Sequence, residues 1–152
     1  RDDVTPGLKF NDWEMRGVPL RLELGPRDLA VGQAVVVRRD TREKQPVAMD
    51  ALPQHLSALL ETVQSALFAR ALAFREAHTF TADRIEDLQA IDEHPGFYRM
   101  NWCESRECED RLGDYKATIR CIPFDGAEAT PTGPCGVCGL PARYRVLVAK
   151  AY

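Results

Sequence analysis

The stretch that decides the fold of the last third of the chain is Trp102-Cys-Glu-Ser-Arg-Glu-Cys108, and a second motif follows at Pro134-Cys-Gly-Val-Cys138. Each motif holds two cysteines on a tight turn, so that both thiolates can touch one ion. Two such turns complete a tetrahedral coordination shell without an open position. A closed site of this kind stabilises a fold but does not catalyse a reaction. The pattern therefore predicts one structural zinc ion. Its ligands would be Cys103, Cys108, Cys135 and Cys138.

Two other uses of these cysteines stay open at this point. Cys135-Gly-Val-Cys138 has the spacing of a redox dithiol, a motif that usually opens a helix in an α/β setting. The glycine and proline residues within 133–134 and 139–141 instead indicate a loop knuckle. Two disulfides are the second alternative, but the absence of a signal peptide favours a reducing compartment and metal. The fifth cysteine, Cys121, is predicted to be a small buried residue on a strand.

Composition sets the outer limits on the class of protein. With 152 residues, of which 45% are hydrophobic, the chain can form one ordinary domain or two small ones. No apolar run reaches the roughly 20 residues that cross a membrane, so we expect a soluble, cytoplasmic protein. Because the sequence begins with Arg1 rather than methionine, we also expect a piece of a longer polypeptide.

The charge distribution is more informative than the net charge. A net charge of −3 argues against a general nucleic-acid binder. Basic residues nevertheless predominate between Arg16 and Lys44, where they alternate with strand-forming sequence, whereas residues 83–114 are acidic. The acidic stretch is interpreted as a solvated face, and the basic stretch as a candidate binding surface.

Hydrophobic periodicity predicts a small α/β unit at the start of the chain. Residues 9–16 form a short amphipathic helix that ends at Gly17. Residues 18–24 alternate with a period of two, which predicts a strand with its leucines inward and its charges outward. Residues 34–39 form a second strand, and the two are expected to pair antiparallel.

The rest of the chain is predicted to be a long helix followed by a small α+β unit. The helix begins near Asp50 and runs to Phe74, with an apolar stripe assigned to the core. A shorter helix and three strands follow; the strands are residues 97–102, 118–122 and 144–149. The fold class is therefore α/β (α+β). The predicted domains are a half-domain at 1–49, a connecting helix at 50–79 and a zinc-binding domain at 80–152.

Several of these segments carry a family resemblance. Lys9-Phe-Asn-Asp-Trp-Glu14, followed by Gly17-Val-Pro-Leu-Arg-Leu-Glu-Leu-Gly-Pro-Arg-Asp28, closely resembles the anticodon-binding domain of prolyl-tRNA synthetases. Residues 67–76, Arg120-Cys-Ile-Pro-Phe124 and residues 145–152 resemble the C-terminal zinc domain of the same enzymes. The resemblance spans almost the whole chain and points to the archaeal-and-eukaryotic-like branch.

The resemblance implies a class II ligase that joins proline to tRNA(Pro) through a prolyl-adenylate, using ATP and Mg²⁺. Its catalytic signatures do not occur in this sequence, so the resemblance implies a catalytic domain upstream of Arg1. It also implies a homodimer formed through that domain, with no membrane or DNA partner. Within this chain it implies the second half of an anticodon-binding domain.

The resemblance also assigns roles to individual residues. Proline anticodons share two guanines, whose O6 and N7 acceptors suit arginine and whose N1 and N2 donors suit a carboxylate. Glu14 and Arg21 match the guanine-reading pair of the family, and Arg27 and Lys9 are candidates for further base or phosphate contacts. The aromatic residues of the first helix are predicted either to pack in the core or to stack on loop bases.

Tyr152 is the last residue, and in the resembling family the C-terminal tail packs toward the catalytic domain. The resemblance therefore predicts that this tail orders a distant active site, whereas a simple packing role for the ring is the alternative. A different class of function also stays open, namely a free-standing zinc-stabilised RNA-binding or interaction module without ligase activity.

Overall fold

The structure is a computed structural model that describes residues 4–150 of the chain. It contains two compact units, of which the first extends to Leu72 and the second begins at Ala73. This boundary lies inside the helix that was predicted to connect two domains, and the three-part domain division stays a prediction. Tyr152 lies outside the described residues. No helix in the described part is both long and apolar enough to cross a membrane.

A three-stranded antiparallel sheet organises the described part of the first unit. Its strands are β1 (Leu20–Glu23), β2 (Gln33–Arg38) and β3 (Lys44–Ala48), with β2 in the centre. The predicted antiparallel pairing of the first two strands is confirmed. Two helices, α1 (Pro6–Met15) and α2 (Pro26–Ala30), precede β1 and β2. The buried residues of the sheet are Ala34, Val36, Val37 and Val47.

The face assignment predicted for β1 is wrong. Leu22 is 42% exposed, whereas Arg21 and Glu23 on the opposite face are half-buried. The reason is that α1 covers the charged face, with the guanidinium carbon of Arg21 lying 3.9 Å from the centre of the Phe10 ring. A period of two reveals two faces of a strand, but the covering element decides which of them is buried.

The long helix is present as α3 (Leu52–Ala77), with Pro53 in its first turn as predicted. The prediction that its apolar stripe forms core is only partly correct, because Leu52, Leu56, Leu59 and Leu67 are half-buried rather than buried. Val63 is the buried residue of this helix, whereas Leu60 and Phe74 are exposed. Burial requires a facing surface as well as an apolar stripe, and within residues 4–150 the stripe meets one chiefly around Val63.

A four-stranded sheet organises the described part of the second unit, with the strand order β4-β5-β7-β6. The strands are β4 (Thr79–Thr81), β5 (Phe97–Trp102), β6 (Ala117–Cys121) and β7 (Tyr144–Lys150). The last three were predicted, while the short parallel strand β4 was not. Two short helices, α4 (Arg106–Asp110) and α5 (Gly126–Ala129), lie between β5 and β7.

The core of the second unit lies between the sheet and a 3₁₀ helix at Ile85–Asp92, where a short helix was predicted. The helix contributes Ile85, Leu88 and Ile91, and the strands contribute Tyr98, Met100, Val146 and Val148. Cys121, predicted to be buried, is exposed at the end of β6, where an irregularity in the pairing with β7 shifts the register. Helices and sheets are mixed in both units, which confirms the predicted α+β class.

Candidate functional site

The four predicted ligand cysteines meet in one cluster in the second unit. Cys103 follows β5 directly, and the second motif lies just before β7; because these strands pair with Trp102 opposite Tyr144, they bring the two motifs together. The Sγ atom of Cys103 lies 3.6 Å from that of Cys108 and 3.8 Å from that of Cys138. All four sulfur atoms, that of Cys135 included, lie within 4.8 Å of one another.

The second motif forms a turn that two backbone hydrogen bonds close, as predicted for a loop knuckle. The N–H of Cys135 donates to the carbonyl of Leu140 at 2.8 Å, and the N–H of Gly139 donates back to the carbonyl of Cys135 at 2.9 Å. Gly139 has a φ of +75°, a conformation that glycine adopts at little cost. The motif does not open a helix, so the setting typical of a redox dithiol is missing here.

The knuckle is held in place by residues that the sequence did not point to. The N–H of Gly136 donates to the backbone carbonyl of Asn101 at 3.0 Å, and the carbonyl of Gly136 accepts from Ile85 at 2.9 Å. A Cβ atom on Gly136 would lie 2.9 Å from the carbonyl oxygen of Asp83, so only glycine fits there without displacement. Asn101 is buried, and its Oδ1 accepts from the N–H of Thr132 at 3.1 Å. Asn101 therefore anchors the chain on both sides of Cys135.

The thiols of the cluster have unequal acidity. Burial raises the pKa of Cys103, and it raises that of Cys108 to about 12. Burial also opposes ionisation of Cys135, but hydrogen bonds from the backbone N–H groups of Cys138 and Val137 outweigh it and lower the pKa to about 7. The backbone around Cys135 therefore favours its thiolate form, and thiolates are the form that binds metal.

The geometry of the sulfur atoms fits a single tetrahedral ion. Metal–sulfur bonds of about 2.3 Å around zinc place the sulfur atoms roughly 3.8 Å apart. The separations of 3.6 and 3.8 Å from Cys103 match this value. A disulfide requires a sulfur–sulfur distance of about 2.05 Å, and all five cysteines are free. The cluster therefore has the donor set and the spacing that a metal ion requires, and its cysteines are not joined by the disulfides that were the alternative.

We expect Asn101→Ala to weaken metal retention by about 10- to 100-fold, the usual cost of losing a group that orients a ligand. The truncation frees the segment around Thr132 and leaves its backbone N–H without the amide acceptor. Competition with a chromogenic chelator measures the effect. The exposed Gln89→Ala in the same unit is the control. Equal affinities for wild type and Asn101→Ala would contradict an anchoring role for the amide.

A second site lies in the first unit, where α1 meets the sheet. The side chain of Thr5 caps α1 by accepting from the N–H of Leu8, Pro6 begins the helix, and Gly17 follows its end with a φ of +91°. No residue of α1 is buried. Its position therefore depends on contacts with the sheet, such as the hydrogen bond from Nη1 of Arg39 to the carbonyl of Glu14 at 3.2 Å.

Glu14 and Arg21 are in direct contact within a longer chain of charges. Nη1 of Arg21 donates to Oε1 of Glu14 at 2.7 Å, while its Nε and Nη2 donate to Oε1 of Glu23 at 3.1 and 2.9 Å. Lys44 extends the chain with a 2.9 Å contact to Oε2 of Glu23. At the other end, Nη1 of Arg42 donates to Oε2 of Glu14. Two carboxylates thus alternate with three cations along one surface.

This alternation keeps both carboxylates ionised. The hydrogen bond from Arg42 is the main reason that the pKa of Glu14 lies below its ordinary value, and Arg21 adds to the effect. The hydrogen bond from Lys44 lowers the pKa of Glu23 in the same way, again with help from Arg21. Glu14 is therefore an acceptor for hydrogen bonds throughout the neutral range.

The paired charges border an apolar cleft of about 230 Å³. Its walls are Phe10, Trp13, Val18, Pro19, Leu20 and Val37, with Lys9, Glu14, Arg21 and Arg39 at its polar side. Trp13 is exposed and Phe10 is half-buried beneath Arg21, so neither aromatic ring belongs to a closed core. Of the four residues predicted for this site, the cleft brings together Lys9, Glu14 and Arg21. Arg27 lies on α2 and does not line it.

We expect the stability contributed by Glu14 to disappear in acid. Because its pKa is lower in the folded chain than in the unfolded one, the contribution is complete above the unfolded-state pKa and is lost as the pH falls through the folded-state pKa. Urea unfolding should therefore separate wild type from Glu14→Gln at pH 7, and the difference in the free energy of unfolding should shrink as the pH falls below the unfolded-state pKa of a glutamate. A difference that stays constant over this range would contradict the ion-pair explanation.

The contacts of Arg39 and Arg42 with Glu14, and of Lys44 with Glu23, were not predicted from the sequence. Their signal was the density of basic residues at the end of β2 and in the following turn. Such density predicts a basic surface, but it does not identify which cation reaches Glu14 from 28 residues away.

Comparison with known proteins gives both sites a family context. A family model described as the anticodon binding domain matches residues 1–59, and one described as the C-terminal domain of prolyl-tRNA synthetase matches residues 86–152. Together they include the cleft, and the second includes all four cysteines of the cluster. The chain belongs to the prolyl-tRNA synthetase family. The matches do not favour the alternative of a free-standing module.

Individual members of the synthetase family agree with this assignment. A protein named "Proline--tRNA ligase" from Lachnospira eligens is 45% identical over 99% of this chain, which covers 31% of that relative. "Proline--tRNA ligase 2" from Bacillus cereus is 43% identical over 97% of the chain and 31% of the relative. "Proline--tRNA ligase" from Alkaliphilus oremlandii is 40% identical over 100% of the chain and 32% of the relative. The chain therefore spans about a third of the length of the curated relatives it matches.

Proposed function

We propose that this chain recognises the anticodon of tRNA(Pro) on behalf of an enzyme that ligates proline to that tRNA with ATP. The observation that supports this most is the Glu14–Arg21 pair at the side of an apolar cleft, within the segment that matches an anticodon-binding domain. An unpaired loop base has an apolar face and a polar edge, and this cleft offers a partner for each.

Guanine suits the polar side of the cleft for a chemical reason. Its N1 and N2 groups donate hydrogen bonds, and the ionised carboxylate of Glu14 accepts them. Its O6 and N7 atoms accept, and the guanidinium of Arg21 donates. The ring of Phe10 packs against the guanidinium of Arg21, whose carbon lies 3.9 Å from the ring centre, and so restricts the movement of this donor. Adenine would present a donor to Arg21 and would be disfavoured.

Lys9 and Arg27 have secondary roles in this proposal. Lys9 lines the cleft, and we assign it a contact with the sugar or phosphate of a base held there. Arg27 is exposed on α2, away from the cleft lining, and we assign it a phosphate contact further along the loop. Contacts of this type position the RNA and carry little sequence information.

We propose that the cysteine cluster holds Zn²⁺ as a structural ion. Four thiolates form a soft donor set that favours zinc, and a closed shell leaves no position for a substrate. Cys103, Cys108, Cys135 and Cys138 would hold the ion between β5 and β7, and the ion would supply folding energy to the second unit.

The remaining parts of the proposal concern the whole enzyme. ATP, Mg²⁺ and proline would be used in a catalytic domain outside this chain, through which we also propose that a homodimer forms in the cytoplasm. The role of Tyr152 in ordering that active site stays a prediction from the resemblance. Deletion of Ala151 and Tyr152 in the full-length protein, with proline-dependent ATP–pyrophosphate exchange as the readout, tests it.

Binding of an anticodon stem-loop tests the recognition function directly. Fluorescence anisotropy compares the tRNA(Pro) stem-loop with versions in which each shared guanine is replaced by inosine, which lacks the N2 amino group, or by adenine. We expect at least one guanine whose replacement weakens binding about tenfold or more. Equal binding of all versions at every salt concentration would overturn anticodon recognition by this chain.

A further inference from the structure

Arg42 has no assigned role, although it completes the coordination of the carboxylate proposed to read a guanine. In the free chain Oε1 of Glu14 accepts from Arg21, and Oε2 accepts from Arg42. Each oxygen can accept a further hydrogen bond, but with both arginines in place the side chain of Glu14 is only 15% exposed. A base that reaches both oxygens of Glu14 therefore requires that one arginine move aside.

The surroundings of the two arginines decide which of them leaves. Arg21 has a 22% exposed side chain, two hydrogen bonds to Glu23 and the Phe10 ring beneath it. Arg42 has a side chain that is 66% exposed, and within residues 4–150 Glu14 is the carboxylate that its guanidinium contacts. Displacing Arg21 breaks several contacts, whereas displacing Arg42 breaks one, so Arg42 is the arginine that moves.

The backbone at Arg42 supports a functional reason for its position. Its φ is +62°, in the left-handed region where residues other than glycine are uncommon. A side chain held in this conformation at the turn between β2 and β3 incurs backbone strain that a glycine would avoid. In this conformation the guanidinium of Arg42 contacts Glu14.

A groove beside the cleft offers a second place for the guanidinium. This groove of about 460 Å³ is lined by Asn11, Glu14, Met15, Arg39 and Arg42. It lies next to the cleft, since Glu14 and Arg39 line both. Once a guanine binds to Glu14, the groove contains Arg39 and Arg42 beside a carboxylate that is already hydrogen-bonded to the base. Two guanidinium groups in this position favour an RNA phosphate.

We propose that Arg42 is an exchangeable counter-ion, which pairs with Glu14 in the free chain and transfers to an RNA phosphate when guanine binds. The inference rests on the proposed function and adds to it a residue that couples base recognition to backbone binding. In the free chain Arg42 keeps Glu14 ionised and oriented. In the complex its charge contributes to affinity without contributing to the choice of base.

The test measures how the affinity of the 152-residue chain for the tRNA(Pro) stem-loop depends on KCl concentration. Arg42→Gly removes the guanidinium and suits the positive φ, so it is the variant expected to fold without cost; Arg42→Ala and Arg42→Lys accompany it. In Arg42→Gly and Arg42→Ala we expect the slope of log K against log[KCl] to become shallower by about 0.7. This is the value for the loss of one phosphate contact on single-stranded RNA. Arg42→Lys should keep the slope.

The preference for guanine over inosine distinguishes exchange from a purely positioning role. Exchange predicts that Arg42→Gly keeps this preference within about twofold, because phosphate contacts carry little base information. A lost preference with an unchanged slope would show that Arg42 only orients Glu14, and no change in either quantity would also overturn the inference. The exposed Arg106→Ala in the second unit is the matched control and should leave both quantities unchanged.

The same data distinguish a failure of the Arg42 exchange from a failure of the proposed anticodon recognition. If wild type binds the guanine and inosine loops equally, the proposed recognition fails and the exchange fails with it. If wild type prefers guanine and Arg21→Ala removes that preference, while Arg42→Gly keeps the wild-type slope, recognition stands and the exchange alone is overturned.

Discussion

Replacing Cys135 with serine is expected to release the metal and unfold the second unit. Backbone hydrogen bonds lower the pKa of Cys135 to about 7, and its sulfur lies within 4.8 Å of the other three. In small zinc modules the binding free energy, of order 10 kcal/mol, is also folding free energy. Serine supplies a hydroxyl that is a poor ligand for a soft four-thiolate site, so most of this energy is lost.

Metal content and thermal unfolding, measured on the same preparations, test this expectation. Wild type should contain about one zinc per chain, the stoichiometry of a closed four-cysteine site. Cys121→Ser is the matched control, because Cys121 is exposed at the end of β6 and lies outside the cluster. An unchanged melting temperature with intact metal content in Cys135→Ser would contradict the structural role. A strong chelator should reproduce the effect in wild type.

Replacing Arg21 with alanine is expected to weaken discrimination at one anticodon guanine by about 1–3 kcal/mol, the usual value of a good base contact. Arg21 is held by Glu14, Glu23 and the ring of Phe10, so its guanidinium is preorganised and little entropy is lost when it meets a base. The substitution also leaves Glu14 in contact with one cation instead of two. It therefore removes the donor, Arg21, and disturbs the acceptor, Glu14, at the same time.

The measurement compares guanine with adenine at each shared position of the tRNA(Pro) stem-loop, in wild type and in Arg21→Ala. Arg21→Lys keeps the charge but loses the planar fork, so it should restore affinity more than discrimination. Arg106→Ala provides the control for removal of an exposed arginine. An equal loss of affinity for all loops would identify Arg21 as a phosphate contact rather than a base contact.

The sequence by itself determined the local chemistry of both sites. Cysteine spacing and the glycine and proline residues around Cys135 depend only on neighbouring residues, so the knuckle and its donor atoms were predictable. The same holds for the pairing of β1 with β2 and for three strands of the second unit, because period-two patterns and turn residues are local signals. The motif around Glu14 and Arg21 was likewise readable as a family resemblance.

Only the tertiary structure decided which distant groups meet. Cys103 and Cys138 approach because β5 pairs with β7, and strand pairing across a long connection is not encoded in either motif alone. Arg42 reaches Glu14 because the turn between β2 and β3 lies beside the end of α1. The inward face of β1 was predicted wrongly for the same reason. A sequence period specifies which residues share a face, but burial and ion pairing depend on the element that packs against that face.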